Sequence, residues 1–118
     1  MKLSEAIRMG AKMKPQGFGG DSIAATDVSC ALGAAADAIG LQRNKNNAYS
    51  RLETIWPFLR GEEIPGPCKH HKSALLIEHI WMLNDNGNEM NLDKCWTRED
   101  IADWVELVED DNGWGKDT

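Results

Sequence analysis

The apolar residues of this chain recur at intervals of three and four, the period of an α-helix, in five separate stretches. The predicted helices span residues 4–14, 26 or 27–39, 48–60, 74–84 and 98–109. No stretch alternates apolar and polar residues over the length of a strand, and no segment is repeated. The pattern predicts an all-α fold, a compact bundle of five short helices with long loops at residues 15–26 and 61–72.

Several residues mark the expected helix ends. Ser4 and Ser73 precede periodic apolar stretches, where a side-chain cap belongs. Pro15 should stop the first helix, and Gly40 supplies a left-handed residue after the second. Pro57 lies inside the third stretch and should kink that helix or end it early.

The last helix has the clearest start signal. Thr97 can cap it, and Asp100 stands three residues later, where the partner in a capping box belongs. Residues 96–105 also resemble the opening helix of a helix-turn-helix DNA reader, which needs a second, groove-entering helix. Residues 106–113 are instead acidic and end in Asn-Gly, which argues against a complete helix-turn-helix. The spacing predicts a terminal helix anchored by Ile101, Trp104, Val105 and Val108.

Size and composition indicate one cytoplasmic domain spanning residues 1–118. No run of apolar residues reaches the length of a membrane span, and the N-terminus lacks an apolar segment of signal-peptide length. The three cysteines, at positions 30, 68 and 95, do not form the spacing of a disulfide framework. These features predict a reducing compartment and no membrane partner.

Charge is divided unevenly along the chain. Residues 1–60 hold 8 Lys/Arg and 5 Asp/Glu, a net charge of +3, whereas residues 61–118 hold 5 and 14, a net charge of −9. The acidic half should repel phosphate backbones, so we do not expect nucleic acid to bind there. Its charges either serve solubility alone or form a face for a basic partner or a nucleic-acid mimic.

A metal site is one candidate chemistry. Cys68 and His71 have the spacing that lets one tight turn offer two ligands to zinc, and Cys95 is a possible third. The alternative is a surface turn whose histidines are exposed and unrelated to buried cysteines. The sequence leaves both open, with zinc as the possible cofactor.

Catalysis has less support in the residue pattern. A thiolate at Cys68 or Cys30 would need a neighbouring base, and only His70 and His71 stand close to the former in sequence. No Asp or Asn is placed to orient such a base, so we predict a non-enzymatic protein with no catalytic residues.

The last helix is the candidate partner-binding surface. Glu99, Asp103 and Glu106 share one face at helical spacing, and Trp96 and Trp114 flank the helix. Tryptophan beside charged groups suits a protein interface. The simpler alternative is a solvated acidic face.

Four segments carry a resemblance to a known family. They are Leu-Ser-Glu-Ala-Ile-Arg-Met-Gly-Ala at 3–11, Cys-Ala-Leu-Gly-Ala-Ala at 30–35, Leu-Asn-Asp at 83–85 and Trp-Thr-Arg-Glu-Asp-Ile-Ala-Asp-Trp-Val at 96–105. The chain resembles a family of small uncharacterised bacteriophage and prophage proteins. Relatives have a Cys-x-x-Cys turn near the position of Cys68, where this chain has His71 as the fourth residue, and they lack the ten residues 86–95 between the last two segments. The resemblance implies a viral or prophage origin, hence a host-cell cytoplasm, and it implies no activity.

We therefore predict a small phage-type interaction or regulatory protein. Its acidic, tryptophan-bearing C-terminal surface would act on a host or viral protein. The alternative is a zinc-stabilised module built on Cys68 and His71, with a regulatory or nucleic-acid-associated role.

Overall fold

The computed structural model describes residues 1–17, 27–41, 48–67, 72–86 and 96–114. Within these ranges the chain forms five α-helices and one 3₁₀ turn, Pro57–Arg60. The helices are α1 (Leu3–Ala11), α2 (Ala31–Ala38), α3 (Ala48–Ile55), α4 (Leu76–Asn86) and α5 (Arg98–Asn112). The described residues contain no strand beyond two isolated bridges, Gln16 to Ser29 and Ile64 to Ala74. The predicted all-α bundle is confirmed, and none of the described helices is long and apolar enough to cross a membrane.

Each helix contributes to one apolar core. Its largest fully buried side chains are Leu3, Ile7, Leu32, Leu52, Leu59, Leu76, Ile77, Ile80, Leu83 and Ile101. In α1 and α4, which each contribute more than one of these residues, the spacings are one, three and four, so one face of each of these two helices points inward. Trp56, between α3 and the 3₁₀ turn, is also buried and donates its indole N–H to the carbonyl oxygen of Met1 at 3.1 Å.

The backbones of α1 and α2 are in direct contact. A Cβ placed on Gly10 would lie 1.7 Å from the carbonyl oxygen of Ala34, so only glycine fits at this crossing. Residues 31–36 of α2 are all buried. All but Leu32 are alanine or glycine, and these small residues let neighbouring helices approach on several sides.

Some predicted boundaries are confirmed. α3 ends at Ile55, two residues before Pro57, and the chain continues as the 3₁₀ turn. Gly40 follows α2 with a φ of 71°, the left-handed conformation expected of it. Thr97 and Asp100 form the predicted capping box: the Thr97 hydroxyl oxygen accepts the Asp100 N–H at 3.1 Å, and the Asp100 carboxylate accepts the Thr97 N–H at 3.4 Å.

Other boundaries were wrong. α1 begins at Leu3, so Ser4 lies inside the helix, and α4 begins at Leu76 rather than after Ser73. Residue Ala74 is extended because its backbone exchanges two hydrogen bonds with Ile64, of 2.8 and 3.0 Å. Glu78 instead accepts the N–H of Leu75 at 3.1 Å.

The start of α2 also differs from the prediction. Ser29 pairs with the segment after α1, since its N–H donates to Pro15 and its carbonyl accepts from Gly17, both at 2.9 Å. This bridge keeps the backbone extended until Cys30, whose sulfur accepts the Gly33 N–H at 3.3 Å and caps the helix. A cysteine is an unusual cap, and the sequence pattern alone placed the helix start earlier.

Candidate functional site

Two buried charges on α5 position this helix against α1. The guanidinium of Arg98 donates to the carbonyl oxygens of Ala11 and Lys14 at 3.1 and 2.7 Å, at the C-terminal end of α1. It also donates to the Ser29 hydroxyl at 2.6 Å. Burial lowers the pKa of Arg98 from its usual value. Backbone carbonyls at a helix C-terminus stabilise a cation there.

Glu109 binds the other end of α1. Its carboxylate is fully buried and accepts the backbone N–H groups of Leu3 and Ser4, at 2.9 and 3.3 Å. Lys2, the residue before α1, makes no side-chain cap. Glu109 therefore satisfies N–H groups that have no partner within the helix itself.

A third contact lies between these two. Arg8 of α1 donates to Glu106 and Asp103 of α5, each at 2.7 Å. These hydrogen bonds, the one to Glu106 first, raise the pKa of Arg8. Two of the predicted partner-binding carboxylates are therefore already engaged within the chain. Asp103 nevertheless keeps a side-chain exposure of 71%.

The outward side of α5 carries a ridge of two apolar residues, Trp104 and Leu107, which we call the Trp104–Leu107 ridge. Leu107 is 63% exposed, the highest exposure among the large apolar residues that the structure describes. Trp104 is half-buried and rests edge-on against His79, with ring centroids 5.5 Å apart. His79 is itself fixed by a 2.8 Å hydrogen bond between its Nε2 and the carbonyl of Ile64.

Shallow grooves flank the ridge on both sides. The first has a volume of about 490 Å³ and is lined by Pro67, Trp96, Asp100, Asp103, Trp104 and Leu107. The second, of about 430 Å³, is lined by Ile64, Pro65, Gly66, Trp104, Leu107, Val108, Asp111 and Asn112. Both grooves mix apolar and polar lining residues, among them three carboxylates, those of Asp100, Asp103 and Asp111. The ridge and its two grooves form a continuous surface, called here the α5 surface.

The backbone on one side of the first groove is well anchored. Trp96 donates its N–H to the Leu83 carbonyl at 3.0 Å and accepts from the Gln16 side chain at 2.9 Å through its own carbonyl. The Trp96 indole is half-buried and therefore presents part of its face to the groove.

The other predicted site residues lie apart from the grooves. Glu99 is exposed, and Glu106 faces Arg8. Trp114 stacks on Phe58, with centroids 5.0 Å apart and planes inclined by 11°, and lines neither groove. Sequence reasoning missed Leu107, an isolated apolar residue among carboxylates. It predicted that Trp104 faces inward, and the half-buried Trp104 does pack against the core while also lining both grooves.

The predicted metal ligands Cys68, His71 and Cys95 lie outside the described residues. Among the residues that the structure does describe, no three His, Cys, Asp or Glu side chains converge as metal ligands. Cys30 is buried at the cap of α2.

Comparison of the chain with protein-family models, with curated proteins and with solved structures finds no match.

Proposed function

We propose that this chain is a small non-enzymatic interaction protein that binds a basic, partly apolar segment of a host or viral protein on the α5 surface. The observation that carries the proposal is the exposed Leu107, beside Trp104, with carboxylates in both adjoining grooves. The phage setting rests on the sequence resemblance. The surface chemistry stands independently of it.

The arrangement favours a partner with apolar anchors and positive charges. Tryptophan and other large apolar side chains account for much of the binding energy at protein interfaces, and polar groups at the rim exclude mismatched partners. Asp100, Asp103 and Asp111 would repel an acidic segment and attract lysine or arginine. The net charge of −9 over residues 61–118 extends that attraction to longer range.

Rigidity also supports a binding role. α5 is fixed to α1 through Arg98 and Glu109, so the surface exists before any partner arrives. A preformed surface loses less conformational entropy on association than one that must be ordered. The proposed partner would therefore bind a helix face that is already ordered.

The test compares capture of partners by the wild-type protein and by Leu107→Lys. Lysine at position 107 removes the apolar anchor and adds a charge that repels a basic segment, and it disturbs no buried contact because the site is exposed. Reversing Asp103 or Glu106 would be less informative, since both residues hold Arg8. Ser50→Lys, on an exposed residue of α3 outside the acidic half of the chain, adds the same single positive charge and is the matched control.

We expect a protein from host lysate, identified by mass spectrometry and re-tested in purified form, to bind wild type and Ser50→Lys alike. Leu107→Lys should weaken that binding by tenfold or more, in line with loss of an interface hot spot of about 2 kcal/mol. Equal affinity of Leu107→Lys and wild type for the purified partner would reject the α5 surface as the binding site.

A further inference from the structure

A second concave site lies on a different part of the bundle, where the starts of α2 and α3 meet the second half of α4. Its volume is about 330 Å³, within the usual range of small-molecule sites. The lining residues are Cys30, Ala31, Leu32, Tyr49, Ile80, Trp81, Asn84 and Asp85. None of them belongs to the α5 surface.

The walls of this pocket are mostly apolar and partly aromatic. Leu32 and Ile80 are buried core residues, and the rings of Tyr49 and Trp81 meet edge to face, with centroids 5.3 Å apart and planes inclined by 74°. Such walls favour a ligand with an aromatic or aliphatic body.

Asn84 makes the pocket rigid. Its side-chain oxygen accepts the Ala31 N–H at 3.2 Å and the Gln16 amide at 3.0 Å, and its side-chain nitrogen donates to the Gly17 carbonyl at 3.0 Å. These bonds join α4 to the start of α2 and to the segment after α1. These bonds fix the position of Asn84 in the pocket wall, and its polar atoms are occupied within the chain.

The charge of the pocket is negative. Among the lining residues that the structure describes, Asp85 provides the one carboxylate, one oxygen of which accepts the Asn84 amide N–H at 2.8 Å, and none is a lysine or arginine. The N-terminus of α2 would otherwise attract an anion, but the N–H groups of Ala31 and Gly33 are bonded to Asn84 and to the Cys30 sulfur. Tyr49 is held neutral, because burial above all raises its pKa to about 12.

We infer that this pocket binds a small organic cation, an amine with an aromatic or aliphatic body. The body would lie against the half-buried rings of Tyr49 and Trp81, and the ammonium group would lie near the Asp85 carboxylate. This site does not depend on the function proposed for the α5 surface.

The experiment uses two probes with similar apolar bodies and opposite charges, 2-phenylethylamine and 3-phenylpropionate. Each is titrated into the full chain while backbone amide shifts are followed by NMR. We expect saturable shifts of the lining residues with the amine and markedly weaker, non-saturating shifts with the carboxylate. Shifts absent with both probes, equal affinity for both, or amine shifts centred outside the lining would each overturn the inference.

Two variants test whether the Asp85 carboxylate contributes to binding of the amine. Asp85→Asn should weaken binding of the amine by about fivefold, the size of one partly exposed ion pair, while Glu62→Gln, which removes an exposed charge elsewhere, should leave it unchanged. Unchanged affinity in Asp85→Asn would contradict the proposed role of the carboxylate. If Asp85→Asn fails to fold, the two wild-type titrations decide the question alone. Leu107→Lys should bind the amine like wild type, which separates this site from the α5 surface.

Discussion

Arg98 and Glu109, on the same helix, bind opposite ends of α1. Arg98 donates to the carbonyls of Ala11 and Lys14, and Glu109 accepts the N–H groups of Leu3 and Ser4. Eleven residues of helix span about 16 Å at 1.5 Å per residue, enough to reach from one end of a nine-residue helix to the other. Each charge has the sign that the adjacent end of the helix dipole favours. One side of α5 therefore holds α1 in place through Arg98 and Glu109, and the opposite side is the candidate binding surface.

The contribution of the Glu109 contact to stability can be tested by substitution. Glu109→Gln keeps the size of the side chain but loses the charge and one of the two acceptor oxygens, leaving a buried N–H group unsatisfied. We expect the free energy of unfolding, measured by urea denaturation, to fall by about 1–3 kcal/mol. Asp111→Asn, on an exposed residue of the same helix, should change it by less than about 0.5 kcal/mol. Similar effects of the two substitutions would show that the buried contact contributes no special stability.

The close approach of α1 to α2 gives a second prediction. In Gly10→Ala the new methyl group would lie 1.7 Å from the Ala34 carbonyl oxygen, and because that atom belongs to the backbone it cannot rotate away. The helices must separate, and we expect a loss of about 3 kcal/mol or more, measured by thermal and urea unfolding.

Gly40→Ala is the control for the conformational part of this effect. Gly40 has a φ of 71°, and a methyl group added there would meet no atom within 4 Å, so alanine suffers backbone strain without a steric clash. Its expected cost is about 1 kcal/mol. A cost of Gly10→Ala no larger than that of Gly40→Ala would argue against backbone contact between α1 and α2.

Tyr49 gives a prediction about pH, and it is the single tyrosine of the chain. The ultraviolet absorbance of the phenolate should titrate with a midpoint of about 12 in the folded protein, because burial raises the pKa of Tyr49. In urea the midpoint should return to about 10. The folded state then keeps the proton to higher pH than the unfolded state, so this contribution to stability is full below about pH 10 and is lost between pH 10 and 12. A native midpoint near 10 would contradict the buried position of the phenol, and Tyr49→Phe should reduce the alkaline loss of stability.

Arg8 and its two carboxylates give a smaller expected effect. The side chains of Arg8 and Glu106 are 32% and 41% exposed, so water and salt screen their attraction. A double-mutant cycle with Arg8→Ala and Glu106→Ala should yield a coupling free energy of no more than about 1 kcal/mol, and less at high salt. A coupling free energy well above 2 kcal/mol that does not change with salt would instead show that Arg8 and Glu106 interact as strongly as a buried pair.

Local signals in the sequence were enough to predict the helices and several of their ends. Pro57 lacks the N–H that would continue α3, and Thr97 with Asp100 caps α5, as nearest-neighbour chemistry requires. The misplaced starts of α2 and α4 have one cause. Ser29 and Ala74 each pair with a distant backbone segment, and such pairing leaves no periodic trace in the sequence.

The candidate site was only partly predictable for a related reason. Asp103 and Trp96 were identified and do line a groove. Trp104 was predicted to face inward with Ile101 and Val105, and it does pack against the core, but its spacing did not indicate that it also lines the grooves. The face that α5 turns inward is set by Arg98 and Glu109, whose burial depends on groups of α1 far away in sequence. Charged residues normally indicate solvent, so the sequence pattern could not reveal that these two are internal.

Because the ribosome makes α1 long before α5, the contact between Glu109 and α1 affects how the chain folds during synthesis. Its two hydrogen bonds join positions separated by 106 and 105 residues. Until α5 has been synthesised, α1 therefore lacks the carboxylate that caps its first turn, and a short helix without tertiary support is marginal in water. Before that point the apolar face of α1 has no contact with α5, and exposed apolar surface in an incomplete chain favours aggregation.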